Sequence, residues 1–384
     1  MKNLKYSINW FLPIFIVFAQ YNIVLNYSLG IILIFILSII DLIKYKTISI
    51  NKEVVTLIVV FILIQLIFHK SSIGIPSFLI VLLSIIVLSD KIDEAQLYKY
   101  FKIFGTIAML GMLYHSLRFY VFGLESNPIQ IFPRFGDNPD LNWYEGSRPT
   151  SFFSEPQAYA SYMMPFLFLS LRKREVIWAI TITMSVFLST SSLGILMMLI
   201  LWFGYVFFEV KKIKTRISIF SVLSVFTLLL IYSSTFEFSR NKILETAFIG
   251  NPRISRGFEV YSVLNPKQML IGVGYGDLGN FVYTIKENFI WGIGNESRAS
   301  LGYFTGISGI MIQFGLLGLI ILITMFYKLW KKSKGFNRNF LFMIFACFFF
   351  QNLILNPYFI YFFIFFLGIN KSSDFPIKKI RFKT

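Results

Sequence analysis

Long apolar runs separated by short polar stretches recur from one end of the chain to the other. They fall at about 8–25, 28–43, 54–69, 74–89, 100–122, 154–171, 175–191, 193–209, 217–235, 302–327, 339–355 and 357–370. Each approaches the ~20 residues that carry a helix across the hydrocarbon layer of a bilayer. Lipid supplies no partners for backbone N–H and C=O groups, so apolar runs of this length are read as helices. The pattern predicts an all-α polytopic integral membrane protein with about 12 transmembrane helices, residues 1–384 forming a single transmembrane domain. Several runs are short, which leaves merging, tilting or re-entrance open at those positions. The first follows Lys2 and Lys5 and has no small-residue cleavage site, so it is expected to be a retained span and not a removed signal peptide.

Two polar stretches interrupt this rhythm, at 123–153 and 236–301. On alternating topology both face the same side, as two large extracytoplasmic loops, and chemistry outside the membrane has to be built on them. The connections on the other side are too short to house a catalytic domain. The loop pattern of the first six spans is not repeated by the last six, which weighs against a transporter built from two repeated halves.

Composition agrees with the pattern: 56% of residues are hydrophobic, 14% charged, and the mean hydropathy is +0.69. Charge then orients the chain. Of the 36 Lys and Arg residues, 25 fall on the side that also carries both termini, with 8 of the 19 acids; the other side holds 11 of each sign. The whole net charge of +17 therefore lies on one side, the cytoplasmic side by the positive-inside rule. Both termini are expected in the cytoplasm, and the basic clusters are expected to meet anionic lipid. They are short connections, not a folded basic domain, so no nucleic-acid partner is predicted.

The inventory of reactive residues excludes several chemistries. Cys347 is the single cysteine and lies in an apolar run, so there is no intramolecular disulfide and no CxxC metal site. His69 and His115 are the only histidines, neither in an outer loop, which excludes a His-rich metal centre there. His115 is expected to pack or hydrogen-bond, with contact to substrate as the less favoured alternative.

The most informative stretch is Arg148-Pro-Thr-Ser-Phe-Phe-Ser-Glu155-Pro156, where a guanidinium and a carboxylate stand at the boundary of an apolar run. Ser154-Glu-Pro156 also reads as a plain helix start, with Ser154 as N-cap and Glu155 in the first turn, and both readings of Glu155 stay open. Arg148 at that depth calls for a carboxylate, a phosphate or a lipid headgroup. In the second loop, the apolar spacing around Asn251-Pro-Arg253-Ile-Ser-Arg256 predicts a short amphipathic helix with both arginines on one face. Two guanidiniums so placed suit a phosphate or diphosphate; pairing with Glu245, Glu259 or the membrane surface is the alternative. Gly272-Val-Gly274-Tyr-Gly276 looks like a phosphate loop, yet neither a βαβ unit nor a Lys-Ser/Thr accompanies it. Its glycines are read as allowing close backbone packing, against the bundle or against a glycan.

These residues, taken in order, resemble the O-antigen polymerase (Wzy) family. The resemblance rests on Arg148 to Pro156, Ser189-Thr-Ser-Ser-Leu-Gly-Ile-Leu, the Arg-bearing segment leading to Pro266 and Gly272 to Gly276, and Phe304-Thr-Gly-Ile-Ser-Gly followed by Phe314-Gly-Leu-Leu-Gly-Leu. It covers about residues 100–330. Arg253 and Arg256 lack the glycine ten residues on that some members carry, and Ser297 to Phe304 lacks the histidine of the related O-antigen ligases. The resemblance implies a glycosyltransferase of GT-C type in the bacterial cytoplasmic membrane. Such an enzyme moves a growing glycan from undecaprenyl diphosphate onto a fresh lipid-linked repeat unit, for O-antigen, capsule or exopolysaccharide, without metal or cofactor. The ligase reaction and a lipid-linked oligosaccharide flippase are the alternatives. Implied partners are the undecaprenyl-diphosphate-linked oligosaccharide, membrane lipids, and a chain-length regulator and flippase of the same pathway. Arg148, Glu155 and Arg256 are assigned to catalysis, and Arg134, Arg253, Arg298, Gly272 and Gly274 to substrate binding.

Overall fold

A computed structural model describes residues 7–24, 27–69, 74–125, 128–131, 148–232, 252–276, 278–285, 304–351, 353, 356–370 and 378–381. The chain is mostly helical, with fifteen α-helices among the described residues. Twelve of them coincide with the twelve apolar runs: α1 (Ser7–Phe18), α2 (Leu29–Tyr45), α3 (Lys52–Ile67), α4 (Ile75–Leu88), α5 (Glu94–Ser116), α6 (Pro156–Arg172), α7 (Val176–Leu188), α8 (Ser192–Phe208), α9 (Ile213–Tyr232), α13 (Gly306–Lys332), α14 (Phe336–Cys347) and α15 (Pro357–Ile369). The remaining three, α10 (Pro252–Ser262), α11 (Pro266–Ile271) and α12 (Leu278–Thr284), lie in the second polar stretch.

The helix starts follow from local chemistry. Ser28, Asn51, Asp93, Ser191, Thr305 and Asn356 each cap a following helix by accepting a backbone N–H that the helix itself cannot satisfy. Pro156, Pro266 and Pro357 occupy first-turn positions where a missing N–H costs nothing.

Hydrogen bonds and ion pairs sort the connections onto two ends. At the basic end, Asn9 near the start of α1 bonds the Lys91 carbonyl and the Asp93 N–H, Lys332 pairs with Glu53, and Lys102 Nζ lies 2.5 Å from Glu175. Arg172 reaches Glu94 at 3.5 Å and Asn337 at 3.2 Å, and Asn337 in turn bonds Asn370. At the opposite, loop-rich end, Gln20 and Tyr21 tie the end of α1 to the first polar stretch, Arg148 reaches the α7–α8 turn, Glu155 lies within electrostatic reach of Tyr358 at the start of α15, and the start of α13 bonds the end of α14. The helices therefore alternate between the two ends.

By length and composition, α13 alone among the described helices is by itself long and apolar enough to cross a membrane, and α4 and α5 pass the same test as a pair bent by 108°. It is compatible with membrane insertion; α1, α7, α8 and α15 are apolar but shorter.

The interior is aromatic. Phe168, Phe336, Phe340 and Phe365 pack where α6, α14 and α15 meet, and Phe101, Tyr162, Phe166 and Tyr361 join α5, α6 and α15. A separate small core of Val260, Leu278, Val282, Phe304 and Ile312 lies under α10 and α12, so the described part of the second polar stretch packs on α13.

Two small antiparallel ribbons qualify the all-α expectation: β1 (Asn22–Val24) with β2 (Tyr27–Ser28), and β3 (Thr47–Ile50) with β4 (Lys378–Arg381). In the second, Thr47 faces Arg381 and Ile50 faces Lys378. Thr47-Ile-Ser-Ile is a β-branched alternation, too short to count against the apolar runs on either side of it.

Candidate functional site

The segment from Arg148 to Pro156 is held on three sides. The Ser151 N–H donates to His115 Nδ1 at 3.1 Å and the Ser151 hydroxyl to the Ala108 carbonyl at 2.8 Å, both from α5. Gln20, at the end of α1, accepts the Ser154 N–H and reaches the Phe152 carbonyl at 3.5 Å. Phe153 is fully buried against Tyr159 and Tyr162 of α6. Ser151 adopts a left-handed conformation (φ 59°), a strained choice for a side-chain-bearing residue that the surrounding bonds enforce. His115 thus does what was expected first: it is buried and hydrogen-bonds, with Nδ1 as acceptor.

Arg148 projects from this clamp towards the α7–α8 turn, where its Nη1 lies 3.5 Å from the Thr190 carbonyl. The turn is built by Ser189-Thr-Ser-Ser. The Ser189 hydroxyl bonds back to the Val186 carbonyl at 2.6 Å, Thr190 turns left-handed (φ 51°), and Ser191 caps α8 through the Gly194 N–H at 3.1 Å. α5 ends in one turn of π-helix, Leu117–Val121, in which the Phe122 N–H reaches back to the Leu117 carbonyl. That turn brings Tyr120 over to α7, its OH 3.5 Å from the Leu188 carbonyl and within electrostatic reach of Arg148. Thr190 belongs to the Ser189-Thr-Ser-Ser segment already singled out, though with no role given to it, whereas Tyr120 was not foreseen; the π-turn that delivers it leaves no mark in a hydropathy pattern.

Glu155 is placed differently from the sequence reading. It is itself the N-cap of α6, in extended conformation (φ −139°, ψ 151°), and its side chain makes no capping bond; Ser154 lies outside the helix. The residue before a proline is driven out of the helical region, so Pro156 forces Glu155 to stay extended and cannot leave it in the first turn. Its carboxylate is thereby spared from capping and lies within electrostatic reach of Tyr358, at the start of α15.

α10 forms as expected and carries Arg253 and Arg256 three residues apart. Arg256 is half-buried, and its neighbour Gly257 lies against Ser308 and Phe304 at the start of α13. Arg134 and Arg298 lie outside the described residues.

Gly272 and Gly274 belong to a strap packed into the bundle. α13 breaks at Gly315 (φ 65°, ψ −168°), which releases backbone carbonyls from the helix ladder. Two of them are taken up by the strap: Val273 N–H donates to Ile312 O at 2.8 Å and Gly274 N–H to Gln313 O at 3.0 Å. The flanking donors are also spent, Gly272 N–H on Gln268 O at 2.7 Å and Tyr275 N–H on Gln65 Oε1 at 2.7 Å. Four consecutive N–H groups are used inside the protein, so this is not a cradle of free donors for a phosphate. Packing against the bundle, one of the two readings of these glycines, is present. Burial pushes the Tyr275 phenol up to about 12, the Tyr27 phenol adding to the shift, so the ring stays neutral where it packs on Phe78. Gln20 and Gln65, which hold the two loop segments, were legible as polar residues at the ends of apolar runs but were not singled out.

The chain matches no family model and no curated protein. A guanidinium stands at the N-terminal turn of α8, where the helix dipole also favours an anion. A carboxylate with no capping duty stands at the start of α6. Among the described residues no three His, Cys, Asp or Glu side chains come together as metal ligands would.

Proposed function

We propose that the chain is a polytopic membrane glycosyltransferase that polymerises lipid-linked repeat units on the outer face of the bacterial cytoplasmic membrane. The single observation that carries this reading is the hydrogen-bonded Arg148–Pro156 segment, which sets a guanidinium beside the Thr190 carbonyl and leaves the Glu155 side chain out of helix capping. A polymerase must hold the diphosphate that leaves the donor sugar and activate a hydroxyl of the acceptor. Arg148 serves the first need, since a guanidinium matches phosphate oxygens and stays charged at any working pH. Arg256, on α10 beside the start of α13, adds a second cation, with Arg253 next to it. Glu155 orients or deprotonates the acceptor hydroxyl.

In this reading all twelve long helices cross the membrane, the loop-rich end facing out and the basic end facing the cytoplasm. Support comes from the alternation of connections between two ends and from the concentration of Lys and Arg at one of them. Helices of 12–13 residues, such as α1 and α15, then require local thinning of the bilayer or help from flanking residues.

The test is genetic and then biochemical. Arg148→Ala and Arg256→Ala should each abolish long glycan while leaving protein level and membrane insertion intact. A normal-length ladder from both variants would refute the clamp. Deletion should leave single repeat units on the surface; their complete loss would instead indicate a flippase. Purified protein supplied only with lipid-linked repeat units should make polymer, and a requirement for nucleotide sugar would contradict the donor.

A further inference from the structure

Asp41, near the basic end of α2, is 1% exposed, and neither of its carboxylate oxygens has a hydrogen-bond partner among the described residues. Other acids at this end are placed differently: Glu53, Glu94 and Glu175 each meet a lysine or arginine, and Asp93 caps α5. A carboxylate buried without bonds is strongly disfavoured as an anion, so the group either holds a proton or takes a cation. Its surroundings narrow the choice. α1 and α4, the helices packed on α2, carry no charged side chain. One turn back along α2, the Ser38 hydroxyl is spent on the Ile34 carbonyl at 2.6 Å. The charges within electrostatic reach are Lys91, just beyond α4, and Lys44, in the last turn of α2. Tyr45, one turn further on, has its own hydroxyl buried without a hydrogen bond among the described residues.

Lys91 is engaged on the ribbon. Its Nζ donates to Thr47 Oγ1 at 2.9 Å and lies 4.6 Å from the centre of the Tyr45 ring. Thr47 opens β3 and stands opposite Arg381 of β4, so this bond ties the α4–α5 connection to the β3–β4 ribbon. The Lys91 backbone is held separately. Asn9 of α1 bonds its carbonyl and the Asp93 N–H, and Ile92 lies close against Gly368 of α15. A long side chain on an anchored backbone can therefore change partner without moving the helices around it.

We propose that Asp41 is a proton site in exchange with water at the basic end, and that its occupancy sets the partner of Lys91. With the proton bound, Lys91 holds Thr47 and the ribbon is docked, as in this structure. When the proton leaves to water, the buried carboxylate takes the Lys91 ammonium, Thr47 loses its donor, and the ribbon loosens. The docked state binds one proton more than the released state, so docking is favoured at low pH and lost as pH rises through the Asp41 titration. Lys44 shares a helix with Asp41 and bonds to neither strand, so pairing there would leave the ribbon unaffected. The inference does not rest on the polymerase reading.

Two measurements on the purified full-length protein in detergent test it, across about pH 5–9. Infrared difference spectroscopy follows the carbonyl stretch of a protonated carboxyl group. One such band should vanish with rising pH in the wild type and be missing from Asp41→Asn. Hydrogen exchange, corrected for its intrinsic pH dependence, follows the amides of Thr47–Ile50 and Lys378–Arg381, which should speed up about tenfold or more over the same interval. Asp41→Asn cannot ionise and should keep the ribbon protected throughout. Lys91→Gln should abolish the pH response, and Lys44→Gln should retain it. Ribbon exchange that ignores pH in the wild type, or responds equally in Asp41→Asn, overturns the proposal, as does the absence of an Asp41 band at every pH. A response kept in Lys91→Gln and lost in Lys44→Gln overturns the role of Lys91. None of these outcomes depends on whether Arg148→Ala suppresses polymer.

Discussion

Gly272 and Gly315 should behave as two halves of one latch. Gly272 (φ 79°, ψ −172°) and Gly315 (φ 65°, ψ −168°) both occupy a backbone region that is essentially closed to residues with a Cβ. Each also faces the other's segment: a Cβ on Gly272 would overlap the Gln313 backbone, and one on Gly315 would overlap the backbone of Leu270 and Ile271. Alanine at Gly272 therefore adds roughly 1–3 kcal/mol of strain. The clash with Gln313 further weakens the two bonds from Val273 and Gly274, each worth about 0.5–1.5 kcal/mol net. Together these amount to roughly 2–6 kcal/mol against the docked strap. At position 315, alanine has an escape, because it favours helix and can straighten α13. The Ile312 and Gln313 carbonyls then return to the helix ladder and the strap loses its acceptors. Both routes undock the same segment.

Amide hydrogen exchange reads this directly, since local opening free energy sets the rate at which protected amides exchange. A loss of about 2 kcal/mol should speed exchange at Val273, Gly274 and Tyr275 roughly 30-fold in either variant. The double variant should cost clearly less than the sum of the singles, because the second substitution acts on a strap already released. Exchange within about threefold of wild type in both single variants, or strictly additive effects, would show that the strap is not held by this latch.

Other expectations follow from the same geometry. His115→Phe removes the acceptor of the buried Ser151 N–H and should cost roughly 1–3 kcal/mol in detergent unfolding, with shorter glycan because Arg148 rides on that segment. Glu155→Gln and Glu155→Ala should each suppress polymer without the roughly 1 kcal/mol loss that removing a helix cap brings, since the side chain makes no capping bond; a loss of that size confined to alanine would restore the plain helix-start reading. At the basic end, burial opposes ionisation of Glu175, the residue preceding α7, but hydrogen bonds from Lys102 and Tyr98 and the charges of Lys102 and Lys173 outweigh it and hold the carboxyl below its usual range. Its contribution is present above the unfolded carboxylate value and is lost as pH falls through the lowered folded value. The pair is about one-third exposed, so the effect should stay below ~1 kcal/mol, and Lys102→Ala should flatten that part of the stability-versus-pH curve.

The places where hydropathy and structure agree or part share a physical cause. A run of apolar residues constrains the backbone over many positions at once, so each of the twelve runs contains a helix, and charge on the connections sorts their ends. The details of the site depend on one or two residues. Pro156 moves Glu155 out of the first turn by acting on the residue before it, a rule that was readable in Glu-Pro yet outvoted by the familiar order Ser-Glu-Pro. Gly272 and Gly274 resembled a phosphate loop because close approach to a ligand and close approach to a neighbouring backbone ask the same thing of a glycine. What separates the two is where the N–H groups go, and that depends on Gly315, some forty residues away on another element. Tyr120 depends on a π-turn, which changes the direction of a side chain without changing the apolar pattern. In each case the missing information is a partner distant in sequence. Gln20, Gln65 and His115 show where such partners can be sought: a polar side chain at the end of an apolar run has to bond something, and here all three hold loop segments at the end where Arg148 and Glu155 stand.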